Sequence, residues 1–340
     1  MAAPQKTLFD QTRIGQMFLR NRLVRSATWE AMADETGRPT PRLITLYRDL
    51  ALGGIGLIIT GATSIFPDAV QLFGMMKIPD DSYISSYRNL TGAVREAGSP
   101  IIMQLAFTGR NGEMCNPADP SAEEIHSIVK AFGDAAFRAE QAGFHGVQIH
   151  SAHGFFLSQF LNAKSNLRTD QYGGDLQGRV HLLLEIYREI RARTHPDFSI
   201  LVKINGSDFD EGDGVWEACQ YACIRLAEEG INGIEISGGV SGAPFPPPQI
   251  SYPESVFRDY AARIAELVKV PVILVGMNRT VSVMETLLNT TGIGYFSLSR
   301  PLLRQPDLPD IWRTHPEQGA ACTSCDLCRE QQETLCPFRE

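Results

Sequence analysis

A chain of 340 residues, 43% hydrophobic and 21% charged, is long enough to bury a large core and has the composition of an ordinary globular protein. Its formal net charge of −8, with no basic arm, gives no support for nucleic acid or an anionic membrane surface as a partner. The opening Met1-Ala-Ala-Pro-Gln-Lys6 lacks a signal-type apolar region and no apolar run approaches the roughly 20 residues of a membrane helix, so a cytoplasmic location is expected.

In chain order, Leu8–Phe18 reads as a hairpin cap. Eight short apolar runs follow: Arg22–Thr28, Gly56–Thr60, Ile101–Leu105, Gly146–Ile149, Ile200–Ile204, Gly233–Ile236, Val272–Val275 and Gly294–Leu298. Helical patterns lie between them. Ser121-Ala-Glu-Glu124 has the capping-box spacing and opens a segment with apolar residues at Ile125, Ile128, Val129, Phe132 and Ala136. Val180, Leu183, Leu184, Tyr187 and Ile190 mark another helix. Strands apolar on both faces and separated by amphipathic helices are parallel βαβ units. Eight of them predict an α/β fold, a (β/α)8 TIM barrel over residues 1–315, with a doubly wound open sheet as the alternative. Residues 316–340 form a separate cysteine-rich tail.

Barrels carry their chemistry at the carboxyl ends of the strands. There the first run leaves Ser26, Ala27, Thr28 and Trp29, the second Gly61 and Ala62, and the third contains Gln104. The fourth ends in His150 and His153, before a turn at Gly154 and a helix-like apolar segment, Phe155–Leu161. Imidazoles spaced so at a strand end can donate hydrogen bonds, titrate near neutrality or bind metal. Lys203 stands within the fifth run, where a charge is costly unless something anionic pairs with it. Ser237-Gly-Gly239 closes the sixth run, Gly276 the seventh and Ser299-Arg300 the eighth. Small residues plus an arginine at the last strand ends fit the phosphate site that barrels build there.

The motif H-x-A-H-G-x-x-L-x-Q-F-L from His150, followed by N-x-R-x-D-x-Y-G-G from Asn166, resembles the Old Yellow Enzyme family of FMN-dependent oxidoreductases. The likeness covers about Leu8 to Arg304. It points to the short bacterial NADH:flavin oxidoreductase branch and the barrel domain of 2,4-dienoyl-CoA reductase. The resemblance implies that Ser26, Ala27 and Thr28 contact the flavin ring, that Gly61 and Ala62 lie beside it, and that the Gln104 amide bonds its pyrimidine edge. It places Lys203 at N1 and O2, where reduction builds negative charge, and Gly239, Gly276, Ser299 and Arg300 with the flavin and its phosphate. Trp29 falls near the position that tunes the flavin's potential. His150 and His153 match the family's pair of imidazole donors to the acceptor's carbonyl or nitro oxygen. The implied reaction is ping-pong: NAD(P)H reduces FMN, and the flavin then passes hydride to an activated alkene. One position departs from the pattern. Relatives carry a proton-donating tyrosine where this chain has Phe155, which has no proton to give; water or Tyr252 is then the expected donor. The loop Arg168–Gly174 and Arg179 read as structural.

Cys322-Thr-Ser-Cys325-Asp-Leu-Cys328 and Cys336 have the spacing of a four-thiolate shell, for zinc or a [4Fe–4S] cluster. Two other readings compete with the ene-reductase one: a metal-dependent barrel hydrolase with His150 and His153 as ligands, and a flavoprotein that senses redox state or transfers electrons through the tail. The expected partner is a small molecule with a conjugated double bond; the sequence leaves a homo-oligomer open.

Overall fold

The computed structural model describes residues 5–68, 72–110, 113–240 and 253–339. Eight parallel strands form its centre: β1 (Leu23–Arg25), β2 (Leu57–Ser64), β3 (Ile101–Ala106), β4 (Gly146–Ser151), β5 (Ser199–Ser207), β6 (Gly233–Gly238), β7 (Val272–Val275) and β8 (Tyr295–Leu298). Each pairs with its neighbour in sequence, and the sheet closes where β8 returns to β1, Leu298 standing opposite Arg25. Closure excludes the doubly wound alternative, because an open sheet keeps two unpaired edges. The protein is a (β/α)8 barrel.

The expected periodicities explain the outer layer. Ser121 accepts from the Glu124 N–H while Glu124 reaches back to the Ser121 N–H, the reciprocal cap predicted for helix Ala122–Gln141. Its apolar stripe packs with that of Leu176–Arg193, which buries Val180, Leu183, Leu184, Tyr187 and Ile190. Among the described residues no helix is long and apolar enough to cross a membrane.

Inside the barrel the side chains form two layers of opposite character. The floor is apolar: Val24, Leu57, Ile59, Ile102, Leu201, Ile273 and Tyr295, sealed from below by Ile14, Met17 and Leu19. Those last three come from the amino-terminal hairpin, Thr12–Ile14 with Met17–Leu19. The Tyr295 hydroxyl fastens it by donating to the Arg13 carbonyl at 2.6 Å. Towards the carboxyl ends the interior becomes polar, with Ser26, Gln104, Gln148, Lys203 and Glu235 all buried. An apolar plug under a polar layer opens the barrel at one end only.

The tail crosses that open end. Ala320 N–H bonds the Arg279 carbonyl beyond β7. The Arg279 guanidinium reaches Ser324 Oγ at 2.6 Å, and Arg300 pairs with Asp326 at 2.6 Å. On the far side Thr334 N–H bonds the Glu30 carbonyl, and Glu333 pairs with Arg42 on helix Pro41–Leu52.

Candidate active site

The mouth of the barrel holds a cavity of about 570 Å³. Its wall includes Ala27, Thr28 and Trp29 after β1, His153 and Phe155 after β4, Lys203, Ser237 to Gly239, Gly276 to Arg279, and Ser299 and Arg300. The tail closes the circle with Cys322, Ser324, Cys328, Arg329, Gln331, Gln332 and Thr334. Ser26, Gly61, Ala62, Gln104 and His150 stand behind this wall. Tyr252 lies outside the described residues.

At the end of β4 the backbone turns sharply. His153 has φ +63° and Gly154 φ +73°, so the turn begins on a residue that carries a Cβ. A non-glycine residue held there costs on the order of 1 kcal/mol and persists where its surroundings over-determine it. Here His153 Nε2 meets Ser237 Oγ at 2.8 Å, across the mouth from β6. The His150 ring lies edge-on to it with centroids 5.4 Å apart, and Phe155 packs 5.0 Å from His150. His150 Nδ1 is buried without a partner.

Burial, and secondarily the Lys203 charge, pushes the His150 imidazole down to about 3. Burial, Lys203, His150 and Arg329 hold His153 well below its ordinary value. Both rings are therefore neutral at physiological pH, each with one N–H to give. In the unfolded chain these imidazoles take protons near pH 6.5. Below that pH the unfolded state binds more protons than the native state, so stability falls as pH drops from about 6.5 towards about 3. For His150 the slope approaches about 1.4 kcal/mol per pH unit, and His153 acts in the same direction. Urea midpoints between pH 7.5 and 5 should fall less steeply in His150→Gln/His153→Gln than in the wild-type chain; equal slopes would show that the pair is not buried neutral.

Lys203 does have an anionic neighbour. Its Nζ lies 3.5 Å from Glu235 Oε1, directly across the β5–β6 ladder, and donates to Ser26 Oγ at 2.8 Å. Ser26 Oγ in turn donates to Glu235 at 2.7 Å. Glu235 was not among the residues expected from the sequence, although it stands as a lone charge in the run Gly233–Ile236. Gln148, Asn278, Arg279 and the tail residues were missed as well.

Arg279 and Arg300 bring two guanidinium groups to the same cavity wall as Gly276, whose φ of +109° suits glycine, and Ser299. Ser297 on the same wall has a buried hydroxyl without a partner. Three cations, Lys203, Arg279 and Arg300, on the wall of one roomy cleft fit a planar cofactor with a phosphate arm.

The tail cysteines are dispersed. Cys322 and Cys328 face the cavity, Cys325 is exposed, and Cys336 lines a second cavity with Met32, Arg42, Leu46 and Arg339. Among the described residues no three His, Cys, Asp or Glu side chains are placed to hold a metal. The four-thiolate shell suggested by the spacing is thus not assembled here. The Glu333–Arg42 pair and the Thr334–Glu30 bond carry the chain away from Cys328 before it reaches Cys336.

The family model described as NADH:flavin oxidoreductase / NADH oxidase matches residues 7–121 and 113–317. The chain belongs to that family. It is 32% identical over 340 residues to a metal reductase of Desulforamulus reducens, covering 94% of this chain and 50% of that protein. An NADH oxidase of Thermoanaerobacter brockii is 30% identical, with coverage of 94% and 53%. The chain thus spans about half the length of these relatives. An NADPH dehydrogenase of Clostridium acetobutylicum, 30% identical, matches over most of both chains, 88% of this one and 92% of that one. Among solved structures, this NADH:flavin oxidoreductase family member has the fold of a 2-naphthoyl-CoA reductase (TM-score 0.85, 23% identity, 94% of this chain and 54% of that one). It equally has that of the old yellow enzyme homologue from Zymomonas mobilis (TM-score 0.80, 24% identity, 98% of both chains). The Old Yellow Enzyme resemblance read from the histidine motif is borne out.

Proposed function

We propose that this chain is an FMN-dependent NAD(P)H oxidoreductase whose acceptor is an activated alkene of the enone or enoate type. The observation that carries this reading is the pair of neutral imidazoles at the end of β4, beside a cavity whose wall carries Lys203, Arg279 and Arg300. FMN, when bound, would supply the two-electron carrier between nicotinamide and acceptor. The protein's part is to place and polarise. His150 and His153 hold the acceptor's oxygen by donated hydrogen bonds and draw electron density from its double bond. Lys203 faces the edge where negative charge builds, and Arg279 and Arg300 receive the phosphate. Family membership and the NADPH dehydrogenase relative support the nicotinamide donor; the alkene rests on the imidazole pair.

Purified protein should be yellow, carry about one FMN per chain, bleach anaerobically with NADH or NADPH, and recover colour with an enone. FAD in place of FMN, or no flavin after reconstitution, refutes the reading. Arg300 is already paired with Asp326, so an incoming phosphate would share or displace that carboxylate. Replacing Arg300 with alanine should weaken FMN retention by about 1.5–3 kcal/mol, read as the dissociation constant of the reconstituted apoprotein.

A second reading, in which the tail reports redox state, is favoured by Cys322 and Cys328 on the cavity wall. Flavin that bleaches slowly and turns over no acceptor would support it. The metal-dependent hydrolase finds no ligand cluster among the described residues. We further propose the dienoyl-CoA reductase branch, on the cysteine spacing and the half-length matches to longer relatives. That branch predicts a metal centre at Cys322, Cys325, Cys328 and Cys336, formed with rearrangement of the tail. Anaerobic purification and elemental analysis decide it: about four irons with sulfide, or about one zinc, supports the centre, whereas metal-free protein with four titrating thiols sinks it.

A further inference from the structure

Glu235 is fully buried and belongs to a chain of hydrogen bonds that crosses the barrel. Its Oε1 accepts from Ser26 at 2.7 Å and faces Lys203; its Oε2 accepts from Gln148 Nε2 at 2.8 Å. Gln148 Oε1 then accepts from Gln104 Nε2, again at 2.8 Å. A carboxylate paired with an ammonium has only acceptors to offer, whereas an amide has one donor end and one acceptor end. Glu235 therefore fixes which way round Gln148 sits, and Gln148 fixes Gln104. The reverse order would set an amide oxygen against a carboxylate oxygen at hydrogen-bond distance. With one Nε2–H committed to Gln148, the side of the Gln104 amide on which Oε1 stands is fixed, and that oxygen is its free acceptor.

We propose that Glu235 is a positioning residue: through Gln148 it sets the polarity of the Gln104 amide, so that Gln104 presents Oε1 to a ring N–H on the cofactor's pyrimidine edge. The inference rests on the FMN reading and adds to it a direction. The carboxylate that neutralises Lys203 at one edge of the ring also makes the other edge selective for a donor. A ring N–H opposite Oε1 is matched there; an acceptor atom at that place meets a lone pair and is disfavoured.

The test uses the whole chain, stripped of flavin and reconstituted with FMN labelled with ¹⁵N at N3. In the wild type the N3–H proton should be downfield and slow to exchange. Glu235→Gln gives Gln148 a partner that can turn either way. It should lower FMN affinity on the order of tenfold, the effect of one mispaired buried hydrogen bond, and move N3–H towards its free position. Gln148→Leu leaves the Glu235–Lys203 pair intact and should show the same shift even if Glu235→Gln folds poorly. The double variant Gln148→Glu/Glu235→Gln moves the carboxylate from β6 to β4. The carboxylate introduced at position 148 then again accepts from Gln104 Nε2, and the wild-type N3–H signal should return. An unchanged N3–H in both single variants, or a double variant as perturbed as they are, overturns the proposal while leaving FMN in place. Wild-type protein that binds no FMN overturns both the proposal and the reading beneath it.

Discussion

Replacing His150 and His153 together with alanine should slow re-oxidation of the reduced protein by an enone by on the order of 10³-fold. Removing one preorganised donor to a developing oxyanion costs about 10²–10³ in rate, and donors that act on one atom are lost as a unit rather than additively. Both rings are neutral, each keeping one N–H; His153 stands on the cavity wall tied to Ser237, and His150 packs edge-on against it. Flavin content and the rate of bleaching by NAD(P)H should stay within a few-fold of wild type, because neither ring is among the groups proposed to hold the cofactor. Single-turnover stopped-flow separates the two half-reactions. A double variant that loses its FMN, or one that reduces enones at the wild-type rate, removes the pair from the role given to it here.

The barrel was legible because each strand is buried on both faces and so appears as a short, largely apolar run, with boundaries close to those observed. The helix at Ser121 could be placed from its cap alone. The His150 motif and Lys203 could be found for a related reason: a polar residue inside or just after such a run needs a partner. Glu235 and Gln148 met the same criterion and were passed over. What makes them matter is the register that sets Lys203 beside Glu235, and register between parallel strands joined by a helix is not written in either strand. The tail was harder still. Residues 316–340 have no apolar period, and their course is decided by single pairs such as Arg300–Asp326 and Arg42–Glu333, each between residues far apart in the chain. Nor does sequence reveal that His153, rather than Gly154 alone, takes the left-handed turn, since histidine adopts that conformation only where contacts enforce it.

Phe155→Tyr should accelerate reduction of simple enones by about 10²-fold, the lower end of what a positioned general acid contributes. The ring is already in place: it lines the cavity, packs 5.0 Å from His150, and precedes helix Phe156–Leu161 with its own N–H bonded to the Ala152 carbonyl. Adding a hydroxyl to a side chain held by its neighbours changes chemistry more than geometry. On the proposed reaction the imidazoles would polarise the double bond in either protein; what the wild type lacks at this position is a proton for the α-carbon once the β-carbon has taken hydride. With the tyrosine that proton arrives from inside the site, so the gain should appear in the oxidative half-reaction alone. It should also carry a larger solvent isotope effect than the wild-type reaction. Should the variant show the same rate, with its flavin spectrum, FMN content and reduction by NAD(P)H unchanged, then α-carbon protonation is not what limits the reaction. Phe155 would in that case mark an acceptor that needs no proton at that carbon.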